Sequence, residues 1–171
     1  MTIVLDTSAF IQGFDTNEAD LFTVPKVLEE VKDRNALMRL ESWIEIGKLH
    51  VLKPDHRFGI EVENMAVKMG EAKALSLTDK ELLALGLQLK FENYKPEIIS
   101  DDYSVQNMAD ALGIKHVGLA TPGIKKRLTW TIYCPGCRRT FSEPQPDGVC
   151  PICGTILRRK PNKQKKRHRL L

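Results

Sequence analysis

The chain has 171 residues, 42% hydrophobic and 28% charged, the proportions of a globular protein rather than of a disordered or fibrous one. No apolar run approaches the roughly 20 residues a membrane-spanning helix needs. No basic segment precedes the first apolar run, so no signal peptide is read, and a cytoplasmic protein without a membrane partner is expected. The net charge of +4 hides an asymmetry: residues 1–127 carry 16 Lys and Arg against 20 Asp and Glu, residues 128–171 carry 10 against 2. An acidic body with a basic C-terminal part suits a polyanionic partner, or else a merely solubilising tail.

In chain order, Ile3-Val4-Leu5 is a short aliphatic run fit for a strand buried on both faces, ended by Asp6 and the turn-forming hydroxyls Thr7 and Ser8. Asp6 reads in two ways. It can cap a helix starting near Ala9, or it can project into the crevice at the carboxyl end of a parallel strand. Thr23-Val24-Pro25 reads as a helix entry with proline in the first turn, and Val27, Leu28 and Val31 form the apolar face that follows. A second helical stripe runs through Ala36, Leu37, Leu40, Trp43 and Ile44 to Gly47. Leu49 to Leu52 predicts a strand closed by Pro54, and Phe58, Val62, Met65, Ala66 and Met69 predict a helix stopped by Gly70.

Thr78-Asp79-Lys80-Glu81 fits a capping box with Thr78 as N-cap, opening a mostly buried Leu-rich helix. Pro96 to Ser100 predicts a strand running into Asp101-Asp102, then a helix through Val105, Met108, Ala109 and Leu112 to Gly113, and a last strand within 114–119. Helices alternating with short buried strands predict an α/β domain with a parallel sheet over residues 1–120. Ala120-Thr121-Pro122-Gly123 and the basic run to Arg127 read as a linker, assigned to residues 121–128.

Four acids line up with this topology: Asp6 after the first strand, Glu30 on the helix beside it, Asp79 in the first turn of a helix, and Asp102 or Asp101 after the strand ending near Ser100. Each has an ordinary explanation as a cap, a dipole partner or a solvated side chain. Together they predict one site. Carboxylates gathered closely repel one another unless a cation is present, and a hard, oxygen-preferring Mg²⁺ or Mn²⁺ is the natural occupant. Such a site suits phosphodiester hydrolysis. A glycine-rich phosphate loop is absent, so nucleotide-triphosphate chemistry is unsupported.

Residues 3–11 resemble the opening of a PIN domain, a metal-dependent nuclease fold. Val24 to Val31 resembles its second motif, with Glu30 at the acidic position, and Leu77-Thr78-Asp79 its third. Ile99 to Asn107 resembles its fourth, where a hydroxyl-x-Asp pattern selects Asp102 over Asp101. The resemblance implies a three-layer α/β/α fold, endoribonuclease activity, Asp6, Glu30, Asp79 and Asp102 as catalytic carboxylates, and Mg²⁺ or Mn²⁺ held by Asp6, Asp79 and Asp102.

Cys134-Pro-Gly-Cys137 and Cys150-Pro-Ile-Cys153 are two CxxC knuckles separated by twelve residues, the spacing of a four-thiolate structural Zn²⁺ site. Disulfides or a redox pair fit a cytosolic chain poorly. With a strand predicted over Thr129 to Tyr133, residues 129–158 read as a zinc ribbon too small to fold without its ion. Trp130, Tyr133 and Phe141 are its small core or platforms for unpaired bases. The segment from Arg158 to Leu171 holds eight Lys and Arg and no acid, and 159–171 read as a flexible tail that orders on RNA. Arg138, Arg139, Arg158, Arg159, Lys160, Lys163, Lys165, Lys166 and Arg167 are the expected RNA contacts.

A PIN domain, linker, CPxC…CPxCG ribbon and basic tail are similar to the Nin-one-binding endonucleases, and the compact form to their archaeal members. That resemblance implies cleavage of precursor small-subunit rRNA at its mature 3′ end within the pre-ribosomal particle, with a KH-domain assembly factor as a partner. Two rivals remain: a PIN-type toxin that cleaves tRNA, which usually lacks an appended ribbon, and a catalytically inert RNA-binding assembly factor.

Overall fold

The computed structural model describes residues 1–161 apart from 18, 121–129, 142, 144 and 146. Five strands form the main sheet: β1 (Thr2–Leu5), β2 (Asp20–Thr23), β3 (Leu49–Val51), β4 (Pro96–Ile99) and β5 (Lys115–Val117). All pairings are parallel, in the order β3-β2-β1-β4-β5. β1 is buried over its whole length, as its uninterrupted aliphatic run requires of a central parallel strand.

The chain leaves β1 toward β2 and β3 and returns on the other side as β4 and β5, so the order reverses between β1 and β4. In open parallel sheets that switch point, at the carboxyl ends of the strands, is where a crevice opens. The register pairs Leu5 with Ile99, which brings Asp6 level with Ser100.

The helices pack in two groups. Helix α1 (Thr7–Ile11) contacts α2 (Pro25–Glu30) and α3 (Arg34–Glu45), while α4 (His56–Met69), α5 (Leu77–Phe91) and α6 (Tyr103–Ala111) contact one another. Right-handed crossovers running opposite ways from β1 produce this division. Helix α5 is buried around most of its circumference, and Gly86 lets it approach the sheet: a Cβ there would lie 3.1 Å from Ile98 Cδ1.

Two details differ from the sequence reading. β2 was not anticipated, because its four residues carry no strong period and acquire a partner only from β1 and β3. The capping box opens at Ser76, not Thr78. Ser76 Oγ accepts from Asp79 N–H (3.1 Å) while Asp79 Oδ2 accepts from Ser76 N–H (2.8 Å). Both frames satisfy the spacing, but the earlier one releases Thr78 and Glu81 for contacts with α2.

A second sheet, order β7-β6-β8, is antiparallel and made of β6 (Trp130–Tyr133), β7 (Thr140–Phe141) and β8 (Arg158–Pro161). The ribbon therefore does not stop at residue 158 as the sequence reading had it. Residues 159–161, assigned there to the flexible tail, pair with Trp130, Thr131 and Ile132, a long-range pairing that a uniformly basic run conceals. Lys163, Lys165, Lys166 and Arg167 lie outside the described residues.

Candidate active site and metal centre

Asp6 caps α1 and also occupies the crevice, so its two sequence readings are both realised. It is buried, 8% exposed, and accepts from Thr7 N–H (2.7 Å), Ser8 Oγ (3.0 Å) and Ser100 Oγ (2.7 Å). Burial pushes its carboxyl above the usual value. The hydrogen bonds from Ser100, Thr7 and Ser8 oppose that shift, and the negative charge of Asp79 adds to it.

Ser100 joins the two central strands at this point. Its hydroxyl donates to Asp6 and accepts from Asp102 N–H (3.1 Å). Fully buried Gln106 donates to Ser100 C=O (2.8 Å) and pins the turn from below. Asp102 caps α6, its Oδ1 accepting from Ser104 N–H. Asp101 instead holds Gln12 Nε2 and the N–H of Ala120 (3.1 Å), tying the end of the first domain to α1. This division of labour favours Asp102 as the acid that serves the crevice.

Glu30 sits between two hydroxyls, accepting from Thr7 Oγ1 (3.0 Å) and Thr78 Oγ1 (2.5 Å). Thr7 follows Asp6 and Thr78 precedes Asp79, so Glu30 links the two acid-bearing segments. Lys26 and Glu81, paired at 2.6 Å, brace α2 against α5 beside it. Thr7, Ser8, Thr78 and Ser100 are the site residues that sequence reasoning did not single out, and their signal was a hydroxyl beside or near each acid. Shared hydroxyls thus connect the segments that carry Asp6, Glu30 and Asp102, while the Asp79 carboxylate accepts from Ser76 N–H and sits next to Thr78 in sequence. Among the described residues, however, no three of these acids bring carboxylate oxygens within 4.8 Å of one another. The donor set, hard oxygens at a switch point with one carboxylate buried against its preference for water, fits a hydrated divalent ion of the Mg²⁺ type.

The four cysteines form a closed cluster. Their sulfurs all lie within 4.8 Å of one another, with Cys134–Cys153 at 3.3 Å and Cys137–Cys150 at 3.7 Å. Thiolates at about 2.3 Å from a tetrahedral Zn²⁺ would stand about 3.8 Å apart, so the donor set fits. All four are free thiols. The Thr155 hydroxyl and N–H draw Cys153 down to about 6. At Cys137 the Arg139 N–H favours the thiolate, but desolvation and the neighbouring sulfurs push it up to about 11. A divalent ion binding the four sulfurs would displace the thiol protons.

The knuckles are built alike. Cys134 N–H bonds Arg139 C=O and Arg138 N–H bonds Cys134 C=O, just as Cys150 N–H bonds Thr155 C=O and Gly154 N–H bonds Cys150 C=O. Gly154 has φ +72° and Arg138, its counterpart, φ +61°. A non-glycine residue there costs about 1–2 kcal/mol, and glycine's freer unfolded chain returns about 0.4–1 kcal/mol of that. Arg138→Gly should therefore stabilise the ribbon by up to about 1.6 kcal/mol, read as tighter metal retention in a chelator titration. A loss of retention would show that the Arg138 side chain contributes to the knuckle.

Of the expected RNA contacts, Arg138, Arg139, Arg158, Arg159 and Lys160 are exposed. Arg159 has a further partner. In β8 it shares a sheet face with Trp130 and Ile132, and its guanidinium bonds Gly70 C=O (2.9 Å) and Glu71 (3.3 Å). Arg159 thus contacts the first domain while its side chain stays 42% exposed. Trp130, half-buried, donates its indole N–H to Glu71.

Residues 3–89 match the model of the family described as PIN domain of ribonuclease. The chain is 44% identical over 165 residues to an endoribonuclease Nob1 of Pyrococcus abyssi, covering 96% of this chain and 97% of that protein. It is 36% identical over 166 residues to a ribonuclease VapC1 of Thermoplasma acidophilum, covering 96% of this chain and 81% of that one. It is 29% identical over 132 residues to the 20S-pre-rRNA D-site endonuclease NOB1 of Saccharomyces cerevisiae, covering 74% of this chain and 28% of that longer protein.

Proposed function

Because the chain belongs to the PIN-domain endoribonucleases of the Nob1 family, we propose that it cuts precursor small-subunit rRNA at the mature 3′ end during ribosome assembly. The acids of the cut are Asp6, Glu30, Asp79 and Asp102. The observation that carries this reading is the switch point itself: buried Asp6 and the Asp102 backbone share one hydroxyl, that of Ser100, across β1 and β4. A divalent ion held among the carboxylates would supply Lewis acidity, lowering the pKa of a water and offsetting charge on the scissile phosphate.

The protein's own residues do the rest. Ser100, Ser8 and the Thr7 N–H hold the Asp6 carboxylate in one orientation. Thr7 and Thr78 aim Glu30, and the hydroxyl bridges space the acids without letting them collapse together. Asp6, Asp79 and Asp102 would hold Mg²⁺ or Mn²⁺. The cysteine cluster would hold one Zn²⁺, which would fold the ribbon. Residues 1–120 act as the nuclease unit, 121–128 as the connection, and the ribbon with the basic residues after it as the RNA-holding part. Arg138, Arg139, Arg158, Arg159, Lys160, Lys163, Lys165, Lys166 and Arg167 meet the RNA backbone there. The cytoplasm is the place of action and the pre-ribosomal particle the setting, and a KH-domain assembly factor fits by family resemblance.

The test is a transcript spanning the small-subunit rRNA 3′ end, incubated with the protein and Mn²⁺ or with EDTA. One metal-dependent cut at the mature end is expected. Tight binding with no cut under either ion would move the assignment to an inert assembly factor, and preferential cutting of tRNA to the toxin class.

A further inference from the structure

Glu71 plays no part in the chemistry above, yet it is one of the most deeply buried ionisable side chains described, 2% exposed. A buried carboxylate is costly unless donors surround it. Its donors come from three elements: Asn107 Nδ2 of α6 at 3.1 Å, the Trp130 indole N–H of β6, and Arg159 of β8 at 3.3 Å. Two of the three belong to the ribbon.

The contacts interlock. Arg159 also bonds Gly70 C=O and lies 4.5 Å over the Trp130 ring, a cation–π arrangement that fixes the guanidinium from a second side. Gly70 is close enough that a Cβ would stand 3.0 Å from Trp130 Cβ, and its φ of +72° ends α4 so as to turn Glu71 inward. The rest of the junction is open. A cleft of about 770 Å³ lies between the end of α4 and the ribbon, with Ala72, Lys73, Ile132 and Leu157 among its walls. The ribbon is thus held at a charged clasp rather than by a broad apolar face.

We propose that Glu71 is a positioning residue: its carboxylate docks the ribbon on the nuclease domain through Trp130 and Arg159, so that where the ribbon grips RNA sets which phosphodiester reaches the acids. The clasp also touches α6 through Asn107, the helix that Asp102 caps. The docking itself is independent of the reaction, while its effect on the cut rests on the endoribonuclease reading.

The test is ¹⁵N relaxation on the metal-loaded full chain, wild type against Glu71→Gln. The wild type should tumble as one body, with a single correlation time for residues 1–120 and 130–161, and the variant should lose it, its ribbon tumbling faster. On the rRNA transcript, Glu71→Gln should spread the single cut over neighbouring phosphodiesters while RNA affinity is unchanged. Should Glu71→Gln fail to fold, Trp130→Phe removes only the indole N–H and carries the same measurements. Two correlation times in the wild type, or a variant that keeps both one correlation time and one cut, would overturn the proposal. If neither protein cuts, the enzymatic reading falls with the positioning of the cut, and the relaxation times alone uphold or overturn the docking.

Discussion

Stripping the metal, or replacing Cys150 by Ser, will unfold the ribbon and leave the nuclease domain standing. The ribbon's three strands span two to four residues each, and Cys134 and Cys150 are its only fully buried apolar positions among the described residues. Strands so short cannot offset their conformational entropy by burial. Structural Zn²⁺ in modules of this size contributes about 10–16 kcal/mol at neutral pH. Loss of one thiolate should therefore collapse the sheet β7-β6-β8 rather than weaken it.

The nuclease domain has its own continuous core, from Ile3 and Leu5 through Leu82 and Leu85 to Met108 and Ile114, and should melt separately. The measurement is metal content by mass spectrometry together with amide chemical-shift dispersion for residues 130–161. One Zn²⁺ per chain and a collapse of ribbon dispersion on chelation are expected. A ribbon that stays dispersed without metal would refute the structural role of the cluster.

Asp6→Asn will remove cleavage and spare RNA affinity. Losing an outer-shell partner of a metal ligand already costs about 10–100-fold, so losing the ligand should lower the rate by more than about 100-fold. On the proposed reading the basic ribbon, remote in sequence from Asp6, holds the RNA, so its affinity should not move. Parallel loss of rate and affinity would show that the two roles are not separate.

The same substitution has a signature in stability. Burial raises the Asp6 carboxyl above its ordinary 3.8, so between 3.8 and the raised value the folded state binds more protons than the unfolded chain. Stability of the metal-free wild type should accordingly fall as pH rises through that window and level off above it. Asp6→Asn should flatten that segment of the melting-temperature profile, and Mn²⁺, which favours the charged carboxylate, should restore stability to the wild type alone. A slope unchanged by the substitution would mean that Asp6 is not the group responsible.

Much of this protein is legible along the chain because the relevant interactions are local. Cys134, Cys137, Cys150 and Cys153 announce themselves by spacing, since a CxxC turn brings two sulfurs to one ion whatever surrounds it. Ile3 to Asp6 announces a buried parallel strand that ends in a carboxylate. The helices over 56–69 and 77–91 follow from periodicity, from Gly70 and from a capping pattern read at Thr78, although the cap itself is Ser76. The pattern admits both frames, and only the partners of Thr78 and Glu81 on α2 select one.

What the tertiary structure alone decided is which side chains meet. Nothing near Glu71 in sequence distinguishes it from the solvated acids on the helix before it, and its burial depends on Asn107, Trp130 and Arg159, which are 36, 59 and 88 residues away. Arg159 sits in a run of cations that reads as one RNA-binding tail, and strand pairing with Ile132 turns it toward the nuclease domain. β2 exists because β1 and β3 present backbone donors and acceptors on either side of it. Spacing encodes contacts between near neighbours, because the local backbone geometry carries them. A contact made across the sheet switch point or between domains depends on the free energy of the whole packed chain, and it becomes visible only when that chain is folded.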